Sequence, residues 1–401
     1  MSNHMIISQE VGKRITATDE CALVRAAYAR NPDSPLLRER LAGLLNLCDA
    51  YTETLALYAA ADPGIFSYRE AMLLANAHIA QENEADTRRA GDAVGVALER
   101  ADNDLDRAVA LALMGKVKNR LGDPAGAEDC VTRALELDPH NKDACKRLAT
   151  LLFDRDDPGA VLAVTDRLLE QGVGHSRLFA ARVLAHTKRG EIDAARQVAG
   201  WDLFARRATL TPPPGWDSLE AFNAALADEL LNHPGMRFNR YGSASEQTWR
   251  IDAPITREAP LVRALVTQIE QAVDAHIRDV AGDPHPWAQA RPERATLHCW
   301  CVITESTGYE TWHVHQFGWM SGVYYVQIPD SIAQGDDAGG CIAFGLPEDV
   351  GSDTVSADYG QELVRPAAGT LMMFPSHTYH RTFPHGLAER RICFAFDIWP
   401  A

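Results

Sequence analysis

"TWHVHQFGWMSGVYYV", residues 311–326, places His313 and His315 two positions apart, just ahead of a run of small, β-branched and aromatic residues. Residues i and i+2 of a strand share a face, so the two imidazoles can be presented to one ion. The run that follows has the composition of a buried strand. Similar short segments surround it: "RATLHCWCVIT" (294–304), "MSGVYYVQI" (320–328), "GGCIAFGL" (339–346), "GTLMMFP" (369–375) and "RRICFAFDI" (390–398). Gly, Pro and Asp clusters separate them. Short strands at this density predict a sandwich or barrel closed by antiparallel pairing. Two helical stretches, 218–233 and 260–282, precede and flank it.

Upstream the pattern is different. Ala, Leu and charged residues recur at helical spacing until "GWDLFARRATLTPPPGWDS" (200–218), where three consecutive prolines stop any helix. The helical part repeats internally. "LGDPAGAEDCVTRAL" from Leu121, "DRDDPGAVLAVTDRLL" from Asp154 and "KRGEIDAARQVAG" from Lys188 each set a polar, Gly-containing turn before a small residue, and Ala127, Ala160 and Ala194 recur at near-constant spacing. Gly115, Ala127, Ala134 and Pro139 let two antiparallel helices approach closely and end the second. This resembles the tetratricopeptide repeat over residues 108–200, and less regularly over 18–100. The expected organisation is a multidomain α + β chain. Residues 1–200 form a tetratricopeptide-like helical solenoid, 201–217 a Pro-rich linker and 218–401 the β domain. The repeats either hold a peptide or protein partner or only pack against the β domain.

The bulk composition excludes some functions. A formal net charge of −16 disfavours binding to nucleic acid or to anionic membranes, where clustered Lys and Arg supply the affinity. Eight scattered cysteines without a CxxC pair point to free thiols in a reducing compartment. The N-terminal stretch lacks the apolar core of a secretory signal and nothing reads as a membrane span, so the expected location is the cytoplasm.

Chemistry concentrates in the β half. Five of the 14 histidines fall between 313 and 385: His313, His315, His377, His380 and His385. The best third ligand is His380, which follows the strand "GTLMMF" and the turn "PSHTY" and so reaches the mouth of a barrel. His377 and His385 read as loop residues near its rim. Arg391 opens an inward-facing apolar strand, where an unpaired charge is costly and a planar fork suits a carboxylate. Beside a metal site that carboxylate belongs to an organic acid; a structural alternative pairs Arg391 with Glu389 or Asp397. Arg390 should point the other way. Trp312, Trp319, Tyr324 and Tyr325 read as core or pocket aromatics, with Tyr325 on the face of the two histidines.

Taken together, "GYETWHVHQFGWMSGVYYVQIPD" (308–330), "GGCIAFGLPED" (339–349) and "GTLMMFPSHTYHRTFPHGLAERRICFAFDIWP" (369–400) resemble the 2-oxoglutarate- and iron(II)-dependent oxygenases that follow tetratricopeptide repeats in bacterial proteins. The resemblance covers roughly 230–400. It implies a double-stranded β-helix, or jelly roll. It also implies Fe(II) held by His313, His315 and His380, and 2-oxoglutarate gripped by Arg391; strand alternation adds Tyr325 as a candidate cofactor contact. Decarboxylation of that cosubstrate by dioxygen would be coupled to hydroxylation of a C–H bond. One departure stands out. The superfamily's facial triad carries a carboxylate where this chain has His315. Glu305 lies upstream, Glu310 has an odd offset that points it to the opposite strand face, and Asp330 and Glu348 lie beyond the strand. Either His315 is the third ligand, the preferred reading, or His313 and His380 bind iron alone and His315 contacts the cosubstrate. Two other identities fit less of the pattern: a cupin-type three-His metalloenzyme without 2-oxoglutarate, which leaves Arg391 idle, and an inactive repeat-based binding protein.

Overall fold

The structure, a computed structural model, describes residues 5–12, 15–239, 243–347 and 358–401. The chain divides into two compact units. One is Ile15–Asp157; the other combines Met1–Arg14 with Pro158–Ala401.

The first unit is built of antiparallel helices, including Tyr68–Ile79, Glu84–Arg100, Asp104–Arg120, Pro124–Leu137 and Lys142–Asp154. Their starts are written locally. Ser67, Asn83, Asn103, Asp123 and Asn141 each cap a helix with a side-chain oxygen that accepts a backbone N–H, and Ser67 forms a capping box with Glu70. Gly115 shows why the repeat wants small residues. A Cβ there would meet Val131 Cγ1 at 2.5 Å and the Ala127 carbonyl at 3.2 Å, so only glycine lets Asp104–Arg120 and Pro124–Leu137 come this close. The helices of 18–100, irregular in sequence, follow the same antiparallel scheme.

The second unit begins with helices Pro158–Glu170, Ser176–Lys188 and Ile192–Ala199 and continues into the sheets. The expected division at residue 200 therefore differs from the compact unit, which starts at Pro158. Residues 201–217 are likewise more than a linker. Trp201 stacks on Phe344 at 3.8 Å and its indole N–H donates to Glu362 at 2.5 Å. The residues just before the prolines form a strand. Proline stops a helix, but it does not stop the preceding backbone from pairing with an open sheet edge.

The strands are β1 (Ile6–Gln9), β2 (Arg206–Thr209), β3 (Met236–Phe238), β4 (Ser245–Ile251), β5 (Arg294–Glu310), β6 (Met320–Gln327), β7 (Ile342–Phe344), β8 (Glu362–Val364), β9 (Thr370–Pro375), β10 (His380–Thr382) and β11 (Arg391–Pro400). The larger sheet runs β2-β9-β6-β11-β5-β4-β3, with β1 parallel against β5; the smaller runs β10-β7-β8. An antiparallel bridge between His313 and His380 adds the HxH segment to the smaller sheet. The order β9-β6-β11-β5 against HxH-β10-β7-β8 is the jelly roll expected from the sequence. The flanking helices Leu219–Leu231 and Pro260–Asp279 are also present, and Tyr324 on the outer face donates to Asn223 at 2.8 Å. No described helix is long and apolar enough to cross a membrane.

One core group bears on acid stability. His276, on Pro260–Asp279, is buried, and burial pushes its pKa down to about 4. Its folded-state pKa lies below the unfolded value near 6.5. The unfolded chain therefore takes up the proton first, and stability present above pH 6.5 is lost as pH falls toward 4. The loss reaches at most about 3 kcal/mol. Urea unfolding of His276→Phe should show a flatter pH dependence over that window than the parent; an identical slope in both would rule the assignment out.

Candidate active site

Registers across the larger sheet place four rows of side chains on its inner face, directly opposite one another. Thr248, Thr304 and Arg391 form the first, and Arg250, Val302, Cys393 and Tyr325 the second. Trp300, Ala395, Val323 and Met372 form the third, and His298, Asp397, Ser321 and Phe374 the fourth. Phe374 touches Phe344 at 5.0 Å and His380 at 4.9 Å, so this face looks toward the smaller sheet.

The three histidines converge beside the fourth row. Main-chain bonds hold their segment in place: His313 N to the His380 carbonyl at 3.0 Å, His380 N back to His313 at 3.1 Å, and His315 N to Ser376 at 2.9 Å. The side chains then follow one scheme. His313 Nδ1 donates to the Thr311 carbonyl at 2.7 Å, His380 Nδ1 to the Thr378 carbonyl at 2.9 Å and His315 Nδ1 to Asp397 Oδ1 at 2.5 Å. These acceptors put the proton on Nδ1 in every ring, which leaves three Nε2 lone pairs. The ligand atoms of all three lie within 4.8 Å of one another, and those of His313 and His315 are 3.2 Å apart. Two lone pairs at that distance repel unless a cation lies between them. Metal–imidazole bonds of about 2.1 Å at right angles would set the nitrogens about 3 Å apart. The donor set therefore fits a metal ion. Imidazole suits iron, zinc, copper and nickel alike, so the nitrogens alone do not select iron. Burial and the neighbouring rings push the pKa of His380 well below its usual value, which keeps it an unprotonated ligand.

Two carboxylates flank this centre, and the sequence reading missed both roles. Asp397 is not the partner of Arg391. It accepts bonds from His315 Nδ1, from Ser321 Oγ at 2.6 Å and from the Trp399 indole at 3.2 Å. Burial would raise its pKa, but His315 and these donors outweigh it and hold the carboxylate ionised. Glu310 does not point away. Residues 305–308 bulge out of β5, with Ser306 at a φ of 46°, and the period-two count breaks there. Glu310 accepts from Ser245 Oγ at 3.1 Å, and its backbone N–H donates to Thr382 Oγ1 on the strand of His380. Burial would raise its carboxyl, but His313, Arg250 and His315 together hold it below the usual range. Asp330 is exposed at the start of a helical turn, and Glu348 lies outside the described residues.

Arg391 is 4% exposed and has no ion pair among the described residues. Glu389 instead meets Ser331, and Arg390 pairs with Glu305 at 2.5 Å, so the two neighbouring arginines do face opposite ways. Arg391 Nε, Tyr325 Oη, Thr304 Oγ1 and Thr248 Oγ1 are all buried without a hydrogen-bond partner. Four such groups lie on adjacent strands of one face, and each can donate to an anion placed between them. Tyr325 also holds the Arg391 guanidinium over its ring at 5.6 Å.

The remaining candidates are structural. His377 is buried, not at a rim; its Nε2 donates to the Val198 carbonyl at 2.8 Å. His385 is half-buried against the Thr304 carbonyl at 3.3 Å. Trp319 stacks on Trp287 at 4.5 Å, and each indole N–H donates to the other's carbonyl.

Residues 298–397 match the model of a family described as "Putative 2OG-Fe(II) oxygenase", where 2OG is 2-oxoglutarate. The matched stretch contains the three histidines, Arg391, Tyr325 and Asp397. No curated protein matches the chain. Among solved structures, a Pseudomonas putida prolyl-4-hydroxylase is similar at 16% identity over 50% of this chain and 96% of its own, with a TM-score of 0.34. A Trichoplax adhaerens prolyl hydroxylase, solved with a hypoxia inducible factor peptide fragment, is similar at 10% identity over 53% and 90%, with a TM-score of 0.35. A thermophilic TPR protein of Thermus thermophilus is similar at 20% identity over 39% and 82%, with a TM-score of 0.31.

Proposed function

We propose that this protein is a 2-oxoglutarate- and Fe(II)-dependent oxygenase that hydroxylates a C–H bond of a peptide or protein side chain, with the helical repeats offering a surface for that partner. The observation that carries the reading is that one interior, between the two sheets, holds both three convergent Nε2 lone pairs and a buried arginine with no ion pair among the described residues. His313, His315 and His380 would hold the iron, and Arg391 the distal carboxylate of the cosubstrate. When bound, these groups supply the oxidising chemistry: dioxygen decarboxylates 2-oxoglutarate to succinate and carbon dioxide, and one oxygen atom enters the substrate.

The chain's own residues prepare this chemistry in four ways. Asp397 keeps the proton of His315 on Nδ1 and turns Nε2 toward the metal, a support that ligating histidines commonly need. Thr248, Thr304 and Tyr325 offer hydroxyls to the same carboxylate as Arg391 and leave no buried donor idle. Between Arg391 and Asp397 the inward positions of β11 are the small Cys393 and Ala395, which leave floor space for an organic acid. Trp300, Phe374 and Phe344 are buried around the centre and exclude water, which strengthens every charge interaction inside.

A three-His centre alone would equally suit a cupin-type enzyme, but that identity gives the cradle around Arg391 no occupant. The test is spectroscopic. Under anaerobic conditions, Fe(II) plus 2-oxoglutarate should produce a visible metal-to-ligand charge-transfer band. Iron binding with no response to 2-oxoglutarate would replace this reading with the cupin one, and no metal binding would leave a non-catalytic module.

A further inference from the structure

A second arginine faces the same interior. Arg250 on β4 lies directly opposite Val302, in the row that continues to Cys393 and Tyr325, and its residue is 8% exposed. Its guanidinium sits 5.1 Å from the centre of the Trp300 ring, and that ring lies 5.3 Å from His315. Arg250 is thus one aromatic ring away from the metal centre.

Its hydrogen bonding is incomplete. Nε donates to Asp252 Oδ1 at 2.7 Å, and among the described residues neither terminal nitrogen has an acceptor. Asp252 does not neutralise it alone, because Asp252 Oδ2 also accepts from Arg237 Nε at 2.9 Å and Nη2 at 2.5 Å. Glu310 is near enough to feel the charge, yet no ion pair joins the two. A guanidinium over an aromatic ring, pinned at Nε and open at both terminal nitrogens, presents the planar fork that a carboxylate takes in two parallel bonds. Arg391 has the same chemistry one row away, but in a cradle of four donors that suits the cosubstrate. Arg250 has Trp300 and Val302 beside it instead, a half-apolar setting suited to a side chain with an acidic end.

We infer that Arg250 anchors a carboxylate of the substrate, so that the oxygenated partner is an acidic peptide segment or a chain bearing a free C-terminal carboxylate. This rests on the oxygenase reading for its purpose, but not for its test. Three pools of short N-acetylated peptides serve as probes: one with a central Glu and an amidated C-terminus, the same with Gln, and the Gln pool with a free C-terminus. Each is equilibrated by dialysis against the full-length protein with Fe(II) and 2-oxoglutarate under nitrogen. At least one carboxylate-bearing pool should bind about tenfold or more tighter than the Gln amide pool, and which one does so separates the two sources. In Arg250→Met, which keeps an apolar stem against Trp300 and leaves Arg237 on Asp252, that preference should fall to within twofold. Arg250→Lys should restore part of it. Equal binding of all three pools, or an undiminished preference in Arg250→Met, overturns the assignment. Because dialysis needs no turnover and no charge-transfer band, it decides on Arg250 even if the band never appears.

Discussion

Arg391→Ala should weaken 2-oxoglutarate binding by about two to three and a half orders of magnitude and leave iron binding in place. The guanidinium is buried beside Tyr325 and has no ion pair among the described residues. A carboxylate entering there forms charge-assisted bonds in a setting that excludes water. Removing one partner of such a buried charged pair costs about 3–5 kcal/mol, which at 1.4 kcal/mol per tenfold change gives that range. Arg391→Lys should retain part of the affinity, because a point charge replaces a fork. Titrating the charge-transfer band with 2-oxoglutarate measures both variants. A dissociation constant for Arg391→Ala within threefold of the parent would mean that the acid is held elsewhere, and the donor cradle would need another ligand.

The second large effect concerns His315, which stands where a carboxylate is expected. His315→Ala should abolish measurable Fe(II) binding, because two nitrogens cannot hold the ion as three do. Asp397→Asn should be milder, with iron affinity falling about 10–100-fold, the usual range for losing a ligand's supporting carboxylate. An asparagine can offer its amide N–H to His315 and draw the ring into the other tautomer, with the lone pair turned away from the metal. If His315→Ala instead keeps its iron and loses only affinity for 2-oxoglutarate, the centre has two protein ligands and His315 belongs to the cosubstrate. Metal titration of the apo-protein followed by the spectroscopic assay separates the outcomes.

Asp397 also answers where the missing carboxylate went. It is present, one hydrogen bond behind His315, on the side of the ring away from the Nε2 lone pair. An Asp 82 residues downstream of His315 carries no local signal of that role. The pairing exists because β11 runs antiparallel between β5 and β6 and brings Asp397 opposite Ser321, under the HxH segment. Glu310 was lost to a different cause. Strand parity is a local rule, and the bulge at residues 305–308 resets it, so an odd offset no longer means the opposite face. The same bulge brings Thr248 level with Thr304 and Arg391, and completes a cradle of which only Arg391 and Tyr325 were legible. His377 misled in the other direction. A histidine in a tight turn after a strand looks exposed, yet it is buried and the Val198 carbonyl of the helix Ile192–Ala199 accepts its Nε2–H.

What the amino-acid order determined by itself is what depends on neighbours a few residues apart. Helix caps and the small residues of the repeat, the alternation that builds β6, β9 and β11, the HxH pair, and the arginine opening an apolar strand are all of this kind. Their physics acts over one or two turns of chain and leaves a readable period. Only the tertiary structure decided which carboxylate meets His315, that Glu310 and Arg250 face the same interior as the histidines, and that four unpartnered polar groups line one face. Those relations are set by registers between strands tens to more than a hundred residues apart. A single bulge or a one-residue slip changes every partner, and no local pattern records which register the closed barrel adopts.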